Sequence, residues 1–338
     1  MNNYIQLIAG VLLVLSQPGT LLAAQSDSQA TSSGHSVTEK VFNTSHNAVS
    51  RSIVNLADKI DQFFGSSRYQ AENNGTELRV GSLSSLNKQG ILRHSIQTQF
   101  YLDLPATNKR FQIVLKSDQG NPESNASDPG FIDDIADSSE AEQLADNDVV
   151  LSERNLFSAA LQMIISSNEK WDIRSSAGLQ FNIPSIEPVA EFRIRRNINL
   201  GHSNLRLTEA LKWTATQNFR NDIKMELEKS LTAKYFARFT SAYTLSQLDP
   251  HQKILEDISL IYTKDQRKAF VYSTGVHQTF EPLSAPHFFY INGRFRHMVY
   301  KNWVFYEFLT YVNAPSEDNY RLRPGLQFSI DLIFNQHI

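Results

Sequence analysis

The chain has 338 residues, of which 41% are hydrophobic and 20% charged, and its net charge is −3. That length suits one large domain or two medium ones, and the composition excludes a disordered or nucleic-acid-binding chain. With no cysteine, disulfide scaffolds, thiol catalysis and cysteine-based zinc sites are excluded as well.

Residues Leu7 to Leu15, "LIAGVLLVL", form an apolar core of signal-peptide length, shorter than the ~20 residues a membrane-spanning helix needs. Pro18 and Gly19 break it, and Ala23 and Ala24 offer small residues for cleavage. The preceding "MNNYIQ" lacks Lys and Arg, and Leu22 stands where a small residue is preferred. The expectation is a signal peptide over 1–24; left uncleaved, the same segment would be an N-terminal anchor. No later apolar run approaches helix-spanning length, so an exported chain of this kind is either soluble or a β-barrel.

Residues 25–35 are rich in Ser, Gln, Thr and Gly, as in a flexible linker. The period then becomes helical: Val41, Val49, Ile53, Leu56, Ile60 and Phe63 or Phe64 build one oily stripe. Ser36 and Glu39 have capping-box spacing, and Gly65 can end the helix. This predicts an amphipathic periplasmic helix over 37–64 within a segment 25–75. It could pack under the main domain, plug a pore, or dock a periplasmic partner.

From Thr76 the period is two almost to the end. Strands are expected near 76–86, 91–104, 109–117, 153–165, 171–182, 188–200, 204–217, 222–232, 235–247, 254–264, 268–280, 287–300, 303–313 and 321–334. That makes about fourteen, alternatively twelve. Soluble strands average ~5–6 residues, whereas strands that cross an outer membrane need ~9–11 and are tilted. In "EFRIRRNINL", Phe192, Ile194, Ile198 and Leu200 oppose Glu191, Arg193, Arg195, Asn197 and Asn199. A soluble sandwich would turn the oily face inward, while a membrane barrel gives it to lipid and satisfies its backbone by closure. Strand length, export, an even count and short connections favour a closed antiparallel transmembrane β-barrel over 76–338. Glu209 and Lys229 fall on the face assigned to lipid, which places them near an interface or requires a bulge. The first and eleventh strands alternate ambiguously.

With a periplasmic N-terminus, the long acidic connection 118–152 is extracellular, and "SSNEK", "DQRK" and "KN" are periplasmic turns. Trp171, Tyr262, Phe270, Tyr300, Trp303 and Phe334 then gather at the periplasmic rim.

In the closing "RPGLQFSIDLIF", Arg323, Gly325, Phe328 and Ile330 carry the spacing polar, any, glycine, two of any kind, aromatic, any, hydrophobic. This resembles the C-terminal assembly signal of bacterial outer-membrane β-barrel proteins. The resemblance implies that the barrel-assembly machinery reads this strand, although here "NQHI" follows Phe334. "DKIDQFFGSSR", "QFYLDLPATNKRFQIVL" and "NYRLRPGLQFSIDLIF" are also similar to an uncharacterised family of gammaproteobacterial outer-membrane barrels. That similarity implies the fold and a bacterial outer-membrane location, but no activity.

By the same phase Arg93, Arg110, Arg174, Arg193, Arg195, Arg206, Arg238, Arg294, Arg296, Arg321 and Arg323 point into the lumen. So do Asp103, Asp172, Glu191, Glu226, Glu228, Asp257, Glu307 and Asp331. One reading is a water-filled porin-like channel for small polar solutes, with excess arginine favouring anions. The other is a wall of Arg–carboxylate pairs that fills the interior of a closed or plugged barrel serving an envelope complex. The acidic connection could bind calcium or bridge to lipopolysaccharide through divalent ions, but it has no EF-hand spacing, and acidic runs are usually solvated.

Enzyme activity is not expected. His94–Ser95 and His202–Ser203 are adjacent in sequence, and a strand throws adjacent side chains to opposite faces. His277 and His287 suit the girdle or loops. No metal or cofactor motif is present, and the expected partners are outer-membrane lipid, lipopolysaccharide and the assembly machinery, with no nucleic acid.

Overall fold

The computed structural model describes residues 75–88, 90–107, 110–119, 155–182, 185–216, 218–247, 252–280 and 288–335, together with Ile60 and Phe63. All belong to one compact unit, Val49–Ile338. The signal peptide 1–24, the linker, the helix 37–64 apart from Ile60 and Phe63, and the acidic connection beyond Gln119 lie outside the described residues.

Fourteen strands follow in order: β1 (Glu77–Leu86), β2 (Leu92–Asp103), β3 (Phe111–Gln119), β4 (Asn155–Ser167), β5 (Trp171–Asn182), β6 (Ser185–Asn199) and β7 (Asn204–Thr214). They continue as β8 (Asn218–Ser230), β9 (Tyr235–Ser246), β10 (Gln252–Asp265), β11 (Lys268–Phe280), β12 (Phe288–Tyr300), β13 (Val304–Pro315) and β14 (Arg323–Asn335). Each pairs antiparallel with its sequence neighbours, and β1 closes on β14 from Glu77↔Asn335 to Leu86↔Leu326. The fold is therefore a closed antiparallel β-barrel with no free edge, as the period-two sequence predicts. Fourteen strands, not twelve, close it.

The ends of the barrel differ. At the base, where β1 starts and β14 ends, the links are short, such as 168–170, 200–203, 231–234, 266–267 and 301–303. Turn chemistry fixes several of them. Asn168 Oδ1 accepts the N–H groups of Lys170 and Trp171 at 3.0 and 2.9 Å. Thr232 Oγ1 accepts those of Lys234 and Tyr235, and Asp265 Oδ1 that of Arg267. These side chains replace the ladder partners that a tight turn removes. Gly201 takes a positive φ of 85° in one of these links, a conformation that costs glycine little. The register slips only at this end: between Ile164 and Ser166, Thr263 and Asp265, and Met298 and Tyr300. Such rim bulges tighten the twist without disturbing the wall above. The top carries the link between β3 and β4, residues 120–154.

Alternation assigns the two faces. Ile258, Tyr272, Ile291, Phe308, Phe328, Ile330 and Phe334 point outward and are exposed. Their sequence neighbours Asp257, Ser259, Ser273, Asn292 and Gln327 point inward and are buried. On the outer wall, Tyr235, Tyr262, Phe270 and Phe295 form a run of ring contacts at 4.9, 6.1 and 4.7 Å. At the base, Trp303 stacks on Phe334 at 5.5 Å and meets Tyr300 edge-on, while the Arg196 guanidinium lies over Trp171.

Glu209 and Lys229 need separate accounts. Lys229 is exposed one residue from the base end of β8, so it sits at the rim. Glu209 does face outward, since β7 pairs with both neighbours without any register slip. Neither an interface position nor a bulge explains it. Its Oε1 accepts the Asn221 amide at 3.1 Å, and both side chains are nearly buried on the outer wall.

Candidate functional site

Among the described residues, charged side chains converge on the inner wall, where they are arranged in groups. On β5 and β6, Asp172 accepts two bonds from Arg174, Nε at 2.9 Å and Nη2 at 3.1 Å, and a third from Arg193 Nη2 at 2.6 Å. Ser167 Oγ adds a fourth at 3.1 Å. Arg195 is the cross-strand neighbour of Asp172 and donates to the Asn168 carbonyl at 3.4 Å. Three guanidinium groups, those of Arg174, Arg193 and Arg195, thus gather around one carboxylate on the inner wall.

A second group spans β6 to β9. Arg206 Nε donates to Asn197 Oδ1 at 3.0 Å. Glu228 accepts from Arg238 Nε at 3.1 Å and from Asn204 at 3.2 Å, and Lys224 pairs with Glu226 at 3.0 Å. Nearer the top, Asp222 is held by Arg220 Nε at 2.9 Å, Lys212 Nζ at 3.5 Å and Thr244 Oγ1 at 2.9 Å.

A third group lies on β12 to β14. Arg296 Nη1 donates to Asp331 Oδ2 at 2.6 Å and to Glu307 Oε2 at 3.2 Å, and Arg294 Nε reaches Glu307 Oε1 at 3.2 Å. The Arg296 guanidinium also lies over the Phe305 ring at 4.7 Å. Burying such charges is tolerable only because each is paired and hydrogen-bonded.

The sequence-predicted lumen residues therefore fall into defined places. Arg174 and Arg193 share Asp172. Arg294, Arg296, Glu307 and Asp331 form one network, and Arg238, Glu226 and Arg206 belong to the middle group. Glu191 occupies an inward position opposite Lys212, and Arg93 pairs in register with Ser85. Arg110 precedes β3 and is exposed. Of the assembly-signal residues, Phe328, Ile330 and Phe334 face outward, while Gly325 faces inward under the Tyr311 ring.

Three features escaped the sequence reading. First, β9 to β12 carry apolar side chains on the inner wall. Phe236, Ile261, Ala269 and Val271 cluster at the base, and Ala242, Leu255, Phe288 and Tyr290 cluster higher up. Second, Tyr290 Oη donates to Asp257 Oδ2 at 2.8 Å, and Ser259 and Ser273 meet beside it at 2.9 Å. Third, His94 meets a serine across strands rather than along one: Ser84 Oγ lies 3.0 Å from His94 Nδ1 on the outer wall. Among the described residues no carboxylate or amide bonds to that imidazole. The described residues contain no cluster of metal-ligating side chains.

Neither a family model nor a curated protein matches the chain. Solved structures do resemble it. A monoaromatic hydrocarbon channel, CymD, has a TM-score of 0.46 at 8% identity, covering 80% of this chain and 91% of that one. OprB of Pseudomonas putida scores 0.45 at 9%, covering 80% and 97%. A bacterial polysaccharide outer membrane secretin scores 0.45 at 11%, covering 77% and 99%. At such scores and identities these likenesses carry nothing about solute or mechanism.

Proposed function

We propose that this protein is a bacterial outer-membrane channel through which small polar solutes pass along a charged lumen, with a mild preference for anions. The observation that carries this reading is the reversal of polarity across one wall, with apolar side chains exposed outward on strands around the barrel and paired charges inside. A lipid bilayer accepts the first surface and excludes the second. The aromatic contacts at the base and the short base turns suit a periplasmic end, which puts the β3–β4 connection outside the cell.

The gathering of Arg174, Arg193 and Arg195 around Asp172 on the inner wall supports the anion preference. Charged walls bias ion entry. Purified protein in planar bilayers under a KCl gradient should conduct, with a reversal potential displaced toward that of chloride. Cation preference would refute the selectivity.

A second reading is favoured by the extent of ion pairing. Nearly every inner group described above has a protein partner, so the barrel could be a stiff, closed anchor for an envelope complex. Folded protein that never conducts, with or without substitutions inside the lumen, would establish that alternative.

A further inference from the structure

The inner wall is largely polar, but it is apolar around Ala242, Leu255, Phe288 and Tyr290 and again at the base of β9, β10, β11 and β13. Phe236, Ile261, Ala269, Val271 and Phe305 all occupy inward positions and are buried. Register places Ile261 between Phe236 and Val271 on adjacent strands, making a continuous apolar patch. In a water-filled lumen such a patch would be exposed at a cost proportional to its area. It is covered by this chain itself. Ile60 is 4% exposed and belongs to the cluster with Phe236, Ile261, Ala269 and Val271, and Phe63 packs against that cluster. Phe63 also meets the Phe305 ring edge-on, with centroids 5.9 Å apart.

Ile60 and Phe63 are both helical and three residues apart, hence on one helix face. They are the last members of the oily stripe that runs from Val41. Because every wall residue they touch faces inward, the two side chains lie inside the barrel near its base. The contact is also mechanically linked to the ion network, since Phe305 carries the Arg296 guanidinium on its ring and Arg296 is held by Glu307 and Asp331.

We propose that Ile60 and Phe63 are an internal stopper: their seat on Phe236, Ile261, Ala269, Val271 and Phe305 narrows the base of the lumen, and full conduction requires them to leave it. This rests on the channel reading above and adds a resting, autoinhibited state to it. The seat is apolar and non-directional. Substituting the stopper leaves the wall and its ladder untouched.

The absence of cysteine makes a direct test clean. Full-length Ile60→Ser/Phe63→Ser protein, checked for heat-modifiable migration as folded barrel, is compared with wild type in planar bilayers. A second protein, Phe63→Cys/Phe305→Cys, is bridged by a short, reductant-cleavable bifunctional thiol reagent. The serine variant should show at least tenfold higher open probability than wild type. The bridged variant should be held in the low-conductance state until reductant restores gating. Equal open probability in wild type and serine variant, or bridging that leaves conductance unchanged, would overturn the stopper while leaving the channel intact. No conductance from any folded variant would overturn the channel reading and the stopper with it.

Discussion

Arg296 and Asp331 stand on strands that do not touch, β12 and β14, yet Arg296 Nη1 lies 2.6 Å from Asp331 Oδ2 across the inward side of β13. Glu307 on β13 completes the bridge at 3.2 Å from the same nitrogen. One guanidinium thus ties three consecutive staves together next to the β1–β14 seam.

The first prediction concerns that tie. Asp331→Asn removes the ionic acceptor of a short bond but leaves Glu307, and should cost about 1.5–3 kcal/mol. Glu307 also serves Arg294, so Arg296→Met leaves Asp331 without its partner and should cost more, about 3–5 kcal/mol. Equilibrium urea unfolding of the barrel in lipid vesicles measures both. Equal and negligible losses would mean the network contributes nothing to closure.

Gly325 separates two explanations of one residue. The resemblance at the C-terminus makes it part of an assembly signal. The structure supplies a local reason, because a Cβ at 325 would lie 2.1 Å from the Tyr311 ring. Overpacking of this kind costs about 1–3 kcal/mol. Gly325→Ala should therefore lower the folded fraction on refolding without any assembly machinery, and Tyr311→Ser should rescue it. Failure of that rescue would return the glycine to the assembly signal alone.

Why the sequence told so much of the fold and less of the site can be seen strand by strand. β5 and β6 alternate almost cleanly, with Ser175, Val189 and Arg196 as the off-type positions, and period two alone places Arg174, Arg193 and Arg195 on one face. In β11 the alternation blurs because Ala269 and Val271 are apolar and inward beside outward Phe270 and Tyr272. That blur was the local trace of the seat for Ile60 and Phe63, but periodicity cannot distinguish a poor strand from a wall that binds an apolar occupant. β1 blurs for the opposite reason: Ser82 and Ser84 face outward while Leu83 is inward and buried. Pairing partners were out of reach as well. Asp172 gathers Arg174 from its own strand and Arg193 from the next, and only register decides that.

Asp172 links this geometry to conduction. Asp172→Asn should leave Arg174 and Arg193 without their shared counter-charge and make the lumen more positive near its base. In the channel reading the reversal potential then moves further toward chloride, and the shift shrinks as salt rises and screening grows. A displacement toward potassium would contradict the lumen assignment of this group.

The pair on the outer wall makes the last prediction. Glu209 and Asn221 hydrogen-bond at 3.1 Å on a face that is otherwise largely apolar, between outward neighbours such as Ile194, Leu211 and Ile223. Their burial means each satisfies part of the other's polarity while the surrounding side chains keep the remainder from the hydrocarbon. Removing one partner strands the other: Glu209→Leu leaves the Asn221 amide without its acceptor and should destabilise the barrel by about 1–3 kcal/mol. Removing both should undo most of that loss, because replacing a paired polar couple by apolar groups can be nearly neutral or stabilising. A double-mutant cycle of Glu209→Leu and Asn221→Leu, read by urea unfolding in vesicles, should therefore give a coupling energy of about 1 kcal/mol or more. Additive losses would mean that the two side chains are stabilised separately, by lipid headgroups or water reaching that height of the wall rather than by each other.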